Sequence, residues 1–111
     1  MRKINEIFYS LQGEGYHTGT PAVFIRFSGC NLKCLFCDTQ HEDGILMSDE
    51  DIVTEVSRYP AATVILTGGE PSLWIDREFV DYLHQAGKYV CIETNGTRPL
   101  PDNIDWVTCS P

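Results

Sequence analysis

The chain has 111 residues, of which 42% are hydrophobic, and this is enough for one domain with a single modest core. Sixteen acidic residues against eight Lys and Arg give a formal charge of -8, which argues against binding a nucleic-acid backbone. No apolar run reaches the roughly 20 residues of a membrane span, and the N-terminus lacks a signal-peptide core. We therefore expect one domain over residues 1–111 that binds neither nucleic acid nor membrane.

The first half of the chain predicts two strands around a glycine-rich loop, and then a helix. Residues 4–10 and 22–28 are rich in β-branched and aromatic residues, whereas residues 11–21 contain the glycines and proline of a loop. Ser48 and Asp51 form a capping-box pattern, and apolar residues recur at helical spacing as far as Tyr59. A helix over residues 48–59, stopped by Pro60, follows from this pattern.

The second half predicts a further helix between buried strands. Residues 63–67 have the unbroken β-branched character of a strand that is buried on both faces. A helix over residues 76–86 ends at Gly87, and strands follow over 88–94 and 106–110. Short strands separated by helices predict an α/β fold with a parallel sheet, either open or curled into part of a barrel.

Unusual sequences follow three of these strands. The stretches "GCNLKC", "GGEP" and "NGT" come directly after residues 28, 67 and 94. Ligands of parallel α/β folds bind beyond the carboxyl ends of the strands. These three stretches are therefore expected to meet at one ligand-binding edge.

The chain contains five cysteines, three of which are clustered as Cys30, Cys34 and Cys37. An odd number of clustered cysteines is typical of metal binding in the reducing cytoplasm. A zinc site completed by Cys91 or Cys109 is one interpretation. However, Cys91 lies within a predicted strand, and both distant cysteines are expected to be core residues. Three thiolates suit a 4Fe-4S cluster in which one iron stays open for another ligand.

The C-x3-C-x2-C spacing, with Phe36 before the last cysteine and "GGEP" after the next strand, resembles the signature of radical S-adenosylmethionine (SAM) enzymes. The resemblance implies a 4Fe-4S cluster on Cys30, Cys34 and Cys37, with SAM bound to the open iron. Cleavage of SAM would give a 5′-deoxyadenosyl radical that takes a hydrogen atom from the substrate. The implied SAM-binding residues are Phe36, Cys37, Asp38, Gly69, Glu70 and Ser110.

The flanking sequences are similar to one family within this group, the 7-carboxy-7-deazaguanine synthases. The similar stretches are "YSLQGEGYHTGTPAVFIRFSGCNL", "CDT", "TGGEP", "IETNGT" and the terminal "CSP". The resemblance implies a lyase of queuosine precursor synthesis that converts 6-carboxy-5,6,7,8-tetrahydropterin to 7-carboxy-7-deazaguanine with loss of ammonia. It also implies an electron donor such as flavodoxin or ferredoxin, and it is compatible with a homodimer.

The same resemblance assigns further residues to the site. Thr39 would contact Mg2+, an ion that prefers oxygen ligands. Leu11, Gln12, Gly13, Arg26 and Thr67 would bind the pterin. Because chains of this family are longer, the resemblance implies a partial (β/α) barrel, truncated after about the fourth barrel strand.

Arg26 also stands out from the residues alone. Alternation along its strand places Arg26 on the same face as Ala22, Phe24 and Ser28, where a charge requires a partner. The substrate carboxylate suits a guanidinium fork, and Glu70 or Glu93 is the alternative partner. Glu93 itself could accept hydrogen bonds from pterin N–H groups.

Two other functions are compatible with the cysteine motif. An activase that generates a glycyl radical on a partner protein would use the cluster and "GGEP", but it has no need for "SLQGEG" or "CDT". An iron-sulfur module without turnover belongs to a different class. Cleavage of SAM with and without the carboxypterin would separate the three.

Overall fold

A computed structural model describes residues 2–11, 19, 21–28, 45–68, 71–94 and 99–109. These residues form a mixed α/β fold with one six-stranded sheet and two helices. In chain order the elements are β1 (Arg2–Leu11), β2 (Pro21–Phe27), β3 (Ile45–Met47), α1 (Asp49–Val56), β4 (Thr63–Gly68), α2 (Arg77–Gln85), β5 (Tyr89–Thr94) and β6 (Trp106–Cys109).

The sheet has the order β3-β1-β2-β4-β5-β6. Strands β2, β4, β5 and β6 run parallel, which confirms the predicted parallel sheet. Strand β1 pairs antiparallel with both β2 and β3. Neither the short β3 nor the antiparallel flank was predicted, because three residues are too few for a periodic pattern.

Each helix begins with a capping side chain that accepts a backbone hydrogen bond. Ser48 Oγ accepts a hydrogen bond from the Asp51 backbone N–H at 3.1 Å, which confirms the predicted cap of α1. The Asp76 carboxylate caps α2 by accepting from the Phe79 N–H at 2.9 Å. Helix α2 ends at Gln85, and Gly87 follows the cap residue Ala86 with a φ of 81°, in the left-handed region that glycine adopts most readily.

The predicted end of α1 at residue 59 is wrong by three residues. The helix ends at Val56, and residues 57–60 form a turn instead. In this turn Arg58 and Tyr59 donate backbone hydrogen bonds to residues only three positions earlier. Tighter bonding of this kind is common where a helix unwinds at its last turn.

The main core lies between the sheet and the helices. Alternate strand residues such as Val23, Ile25 and Phe27 pack against Phe79 and Leu83 of α2, all fully buried or nearly so. The rings of Phe27 and Phe79 meet edge to face, with centroids 6.3 Å apart. In the described part of the chain, both helices cover this face, and we call the opposite side of the sheet the open face.

No helix in the described ranges is long and apolar enough to cross a membrane.

Candidate functional site

The four parallel strands end at the same side of the sheet, which we call the carboxyl edge. Their last residues are Phe27, Gly68, Thr94 and Cys109. The predicted cofactor segments follow directly, since Cys30 is three positions beyond Phe27 in the sequence. Several predicted site residues lie outside the described residues, and their roles remain predictions: Gln12, Gly13, Cys30, Cys34, Phe36, Cys37, Asp38, Thr39, Gly69, Glu70 and Ser110.

Gly68 lies in direct backbone contact with the end of β2. Its φ is 89°, and a Cβ added there would lie 2.7 Å from the Phe27 carbonyl oxygen and 2.8 Å from the Phe27 nitrogen. It would also overlap Arg26 Cγ. The structure thus shows a close approach of Gly68 to the neighbouring strand β2. Glycine is required here both by conformation and by space.

Ser28 is held by two neighbouring elements before the cysteine motif begins. Its backbone N–H donates to the Lys3 carbonyl at 3.1 Å, and its carbonyl accepts from Trp74 Nε1 at 2.9 Å. Ser28 is buried, and its hydroxyl has no hydrogen-bond partner among the described residues. The start of the cysteine segment is thus fixed to β1 and to the segment that follows β4.

Arg2 lies at the same edge, because β1 runs antiparallel to β2. Its guanidinium donates to Asp49 at 2.6 Å and to Asp76 at 3.0 Å, and it lies 4.5 Å above the Phe79 ring. Asp49 is the first residue of α1, and Asp76 caps α2. Arg2 therefore joins the beginnings of both helices, each of which follows one of the predicted cofactor segments.

The open face carries a row of polar residues close to the carboxyl edge. Pairing across neighbouring strands places Glu6 beside Arg26, Arg26 beside Thr67, and Glu93 beside Thr108. The Thr67 hydroxyl donates to Glu93 Oε1 at 2.9 Å, which connects the two halves of the row. We call these five residues the polar row. It combines one guanidinium, two carboxylates and two hydroxyls on one surface.

An apolar row lies two residues below the polar row, because side chains alternate along a strand. Strand pairing aligns Phe8, Phe24, Ile65, Cys91 and Trp106 in this order across the sheet. The rings of Phe8 and Phe24 are parallel, with centroids 5.0 Å apart. Ile65 and Cys91 at the centre of this row are fully buried, whereas Phe8, Phe24 and Trp106 are partly exposed. The open face therefore offers separated apolar contacts next to the polar groups.

Among the described residues, the partner of Arg26 is Glu6, which was not named from the sequence. Arg26 Nη1 lies 3.3 Å from Glu6 Oε1, and both side chains are about half exposed. Glu93 is bonded to Thr67 instead, and Glu70 lies outside the described residues. Glu6 becomes the neighbour because β1 pairs with β2. A pair this exposed contributes little to stability.

The predicted pterin-binding residues are only partly brought together. Arg26 and Thr67 are neighbours on the open face, as their strand register requires. Leu11 pairs with Pro21 at the opposite edge of the sheet and is 63% exposed. The register separates Leu11 from Arg26 by five positions along the strand, about 17 Å. The structure therefore does not place Leu11 beside the polar row.

Cys91 is a buried free cysteine, as predicted. Burial raises the pKa of its thiol from 9.0 to about 11, with further contributions from the Asp105 and Glu93 carboxylates. A thiol that stays protonated is a poor metal ligand. Within the described ranges, no three His, Cys, Asp or Glu side chains group as a metal site.

Three residues at the carboxyl edge were not singled out from the sequence. Arg2, Trp74 and Glu6 each contact a residue that is distant in the chain, so no local pattern identified them. Only the position of Trp74, soon after "GGEP", was a usable signal.

In this chain a parallel sheet leads, at its strand ends, into a three-cysteine motif and a glycine-glutamate motif. Comparison with known proteins identifies the class of enzyme that has this arrangement. The model of the Radical SAM superfamily matches residues 24–107, and the chain belongs to this superfamily. Membership implies a 4Fe-4S cluster and SAM.

The names of individual relatives are more specific than the superfamily. The chain is 84% identical over 111 residues to a 7-carboxy-7-deazaguanine synthase from Bacteroides thetaiotaomicron, covering 100% of this chain and 61% of that protein. It is 46% identical over 110 residues to the Neisseria meningitidis protein of that name, covering 98% of this chain and 52% of the relative. The crystal structure of QueE from Escherichia coli matches with a TM-score of 0.81 and 36% identity, covering 99% of this chain and 60% of that one. The chain thus spans between half and two thirds of these relatives.

The described residues fit a cluster and SAM at the carboxyl edge. The Ser28 backbone is fixed two residues before Cys30, and Gly68 lies directly against the end of the strand that leads to the cysteine motif. Cys91, the one cysteine whose side chain is described, is buried and lies in the apolar row. The clustered thiolates of Cys30, Cys34 and Cys37 stay the predicted donor set for the cluster.

Proposed function

We propose that this protein is a radical SAM lyase that converts 6-carboxy-5,6,7,8-tetrahydropterin to 7-carboxy-7-deazaguanine and ammonia. The observation that carries the proposal is the polar row above the apolar row, at the edge where the cofactor segments begin. Supporting it are the names of the relatives, although the chain spans only part of each.

Each described group has a role that its chemistry supports. The planar pterin lies against the polar row, beside the partly exposed Phe8 and Phe24. Arg26 binds the substrate carboxylate, because a guanidinium forms two parallel hydrogen bonds to a carboxylate. Glu93 accepts hydrogen bonds from the N–H edge of the heterocycle, and Thr67 holds the Glu93 carboxylate in place.

In this proposal Cys30, Cys34 and Cys37 hold the cluster, and SAM contacts Phe36, Cys37, Asp38, Gly69, Glu70 and Ser110. When bound, the reduced cluster and SAM supply the radical that removes a hydrogen atom from the substrate. Gln12 and Gly13 complete the pterin contacts, whereas Leu11 is left out because it lies about 17 Å from Arg26 along the strand. Flavodoxin or ferredoxin supplies the electron, and residues 1–111 belong to one domain.

Mg2+ is proposed to support turnover through the Thr39 hydroxyl together with substrate oxygens. Thr39→Ala should reduce the response of product formation to added Mg2+ while iron content per chain stays the same. An unchanged Mg2+ dependence in this variant would remove Thr39 from the proposal.

The function is tested by anaerobic reconstitution with iron and sulfide, followed by reduction and addition of SAM. We expect 7-carboxy-7-deazaguanine and ammonia only when the carboxypterin is present. SAM cleavage with a glycyl radical appearing on a partner protein would favour the activase instead. A cluster that never cleaves SAM would identify an electron-transfer module.

Arg26→Ala tests the substrate contact within this function. Loss of a charge-assisted hydrogen bond should lower product formation about 10- to 100-fold, with iron per chain unchanged. Lysine should restore only part of the activity, since it lacks the planar fork. Arg58→Ala is the matched control, because Arg58 also pairs with a glutamate, Glu55, at 3.0 Å.

Arg26 could instead serve only to neutralise Glu6. In that case Glu6→Gln together with Arg26→Ala would restore product formation to the original level. If Arg26 binds substrate, the double variant should remain as inactive as Arg26→Ala alone.

A further inference from the structure

The two ends of the "GGEP" segment both contact the residues that precede the cysteine motif. At one end, Gly68 lies against the Phe27 backbone so closely that a Cβ would overlap it. At the other end, Trp74 donates its indole N–H to the Ser28 carbonyl at 2.9 Å. The predicted SAM residues Gly69 and Glu70 therefore lie, in sequence, between two contacts to the strand end that leads into Cys30.

Trp74 is itself fixed on the segment that follows β4. Its backbone N–H donates to the Pro71 carbonyl at 2.9 Å, closing the short 3-10 turn over Pro71–Leu73. Its side chain is partly buried and packs against the main core. The indole N–H is consequently directed by the turn and by the core, and it reaches a backbone atom 46 positions away in sequence.

The hydrogen bond from Trp74 is important for the Ser28 carbonyl, because Ser28 is buried. Ser28 is buried, and its N–H is already bonded to Lys3, so its peptide groups are held on both sides. A buried carbonyl without a donor destabilises the structure, because it has lost its hydrogen bond to water as well, and the backbone is then expected to shift towards another donor. Such movement would occur two residues before the first predicted cluster ligand.

We propose that Trp74 is a positioning residue that fixes the cysteine segment relative to the SAM-binding segment. The inference rests on the proposed function, because it presumes that these two segments hold the cluster and SAM. Trp74 acts through the Ser28 backbone and has no contact with the reacting atoms in this scheme. Its effect should therefore appear in how well SAM is bound by an assembled cluster.

The test is Trp74→Phe in the full chain, reconstituted anaerobically, because phenylalanine keeps an aromatic ring but removes the N–H. Iron per chain should stay close to the original value, and the melting temperature should fall by only about 4–8 °C, because one buried carbonyl loses its donor. The Kd for SAM should rise about three- to ten-fold, as expected for one lost hydrogen bond. The EPR spectrum of the reduced cluster should also change its response to SAM. Tyr59→Phe also removes one polar hydrogen from an aromatic side chain, in the turn after α1 and outside the proposed site, and should leave the Kd for SAM unchanged.

An unchanged Kd for SAM in Trp74→Phe would overturn the inference. So would a loss of iron per chain in proportion to the loss of SAM binding, because that result describes a purely structural tryptophan. Failure of the proposed function appears differently: the unsubstituted chain would then assemble no cluster, or would bind and cleave no SAM. The ratio of the Kd for SAM in Trp74→Phe to the Kd in the unsubstituted chain tests the role of Trp74 alone.

Discussion

Gly68→Ala should be the most damaging single-methyl addition among three comparable glycines. Gly19, Gly68 and Gly87 have φ values of 87°, 89° and 81°, so an alanine at each pays a similar conformational cost of about 1–2 kcal/mol. A Cβ at Gly19 or Gly87 meets nothing within 4 Å, whereas at Gly68 it lies 2.7 Å from the Phe27 carbonyl oxygen. The rigid Phe27 backbone must then move, which adds about 1–3 kcal/mol.

The total expected for Gly68→Ala is therefore about 3 kcal/mol, against about 1–2 kcal/mol for Gly19→Ala and Gly87→Ala. In a domain of this size, 3 kcal/mol lowers the melting temperature by about 12 °C. Urea unfolding of the reduced, metal-free chain, followed by circular dichroism, measures all three variants under identical conditions. If Gly68→Ala lost no more stability than Gly87→Ala, the close contact between β2 and β4 would be refuted.

Three further predictions concern the described residues. Arg2→Met should destabilise the fold by about 2 kcal/mol in urea unfolding, because two carboxylates lose a largely buried partner. Arg58→Met, in the exposed turn after α1, should change stability by less than about 0.5 kcal/mol. The pKa of Cys91 is raised from 9.0 to about 11, so its protonated thiol stabilises the fold below pH 9, and this contribution is lost as the pH rises towards 11. Cys91→Ala should therefore show a smaller fall in unfolding free energy between pH 9 and about 11. The variant should still assemble the cluster. Ser48→Ala should cost about 1 kcal/mol of unfolding free energy, and Ser48→Asp, which restores an acceptor, should recover most of it.

Local patterns were sufficient to predict most of the elements. The unbroken β-branched run at residues 63–67 became β4, and the expected helix over 76–86 became α2, in each case within one residue at either end. These segments combine strong propensity with clear capping or glycine signals, so local and tertiary preferences agree. Strand β1 extends beyond the predicted 4–10 at both ends because pairing with β2 and β3 orders the additional residues.

The site was less predictable where it depends on strand pairing. The alternation in β2 correctly placed Arg26 on the face of Ala22 and Phe24, but it could not identify Glu6 as the neighbour. That contact requires β1 to run antiparallel beside β2, and chain order alone leaves this arrangement open. Trp74 illustrates the same limit, since its hydrogen bond to Ser28 joins two segments that share no local pattern.

The separation of the main core from the polar row has a consequence for how this fold can change its chemistry. The buried cluster that joins sheet and helices uses residues such as Ile25, Leu66 and Ile92, which point away from the open face. Arg26, Thr67 and Glu93 lie between them in sequence but contribute little buried area to that cluster. Substitutions away from a packed core usually alter stability by less than about 0.5 kcal/mol. Selection can therefore exchange the groups of the polar row to fit a new substrate while the fold that presents them stays intact.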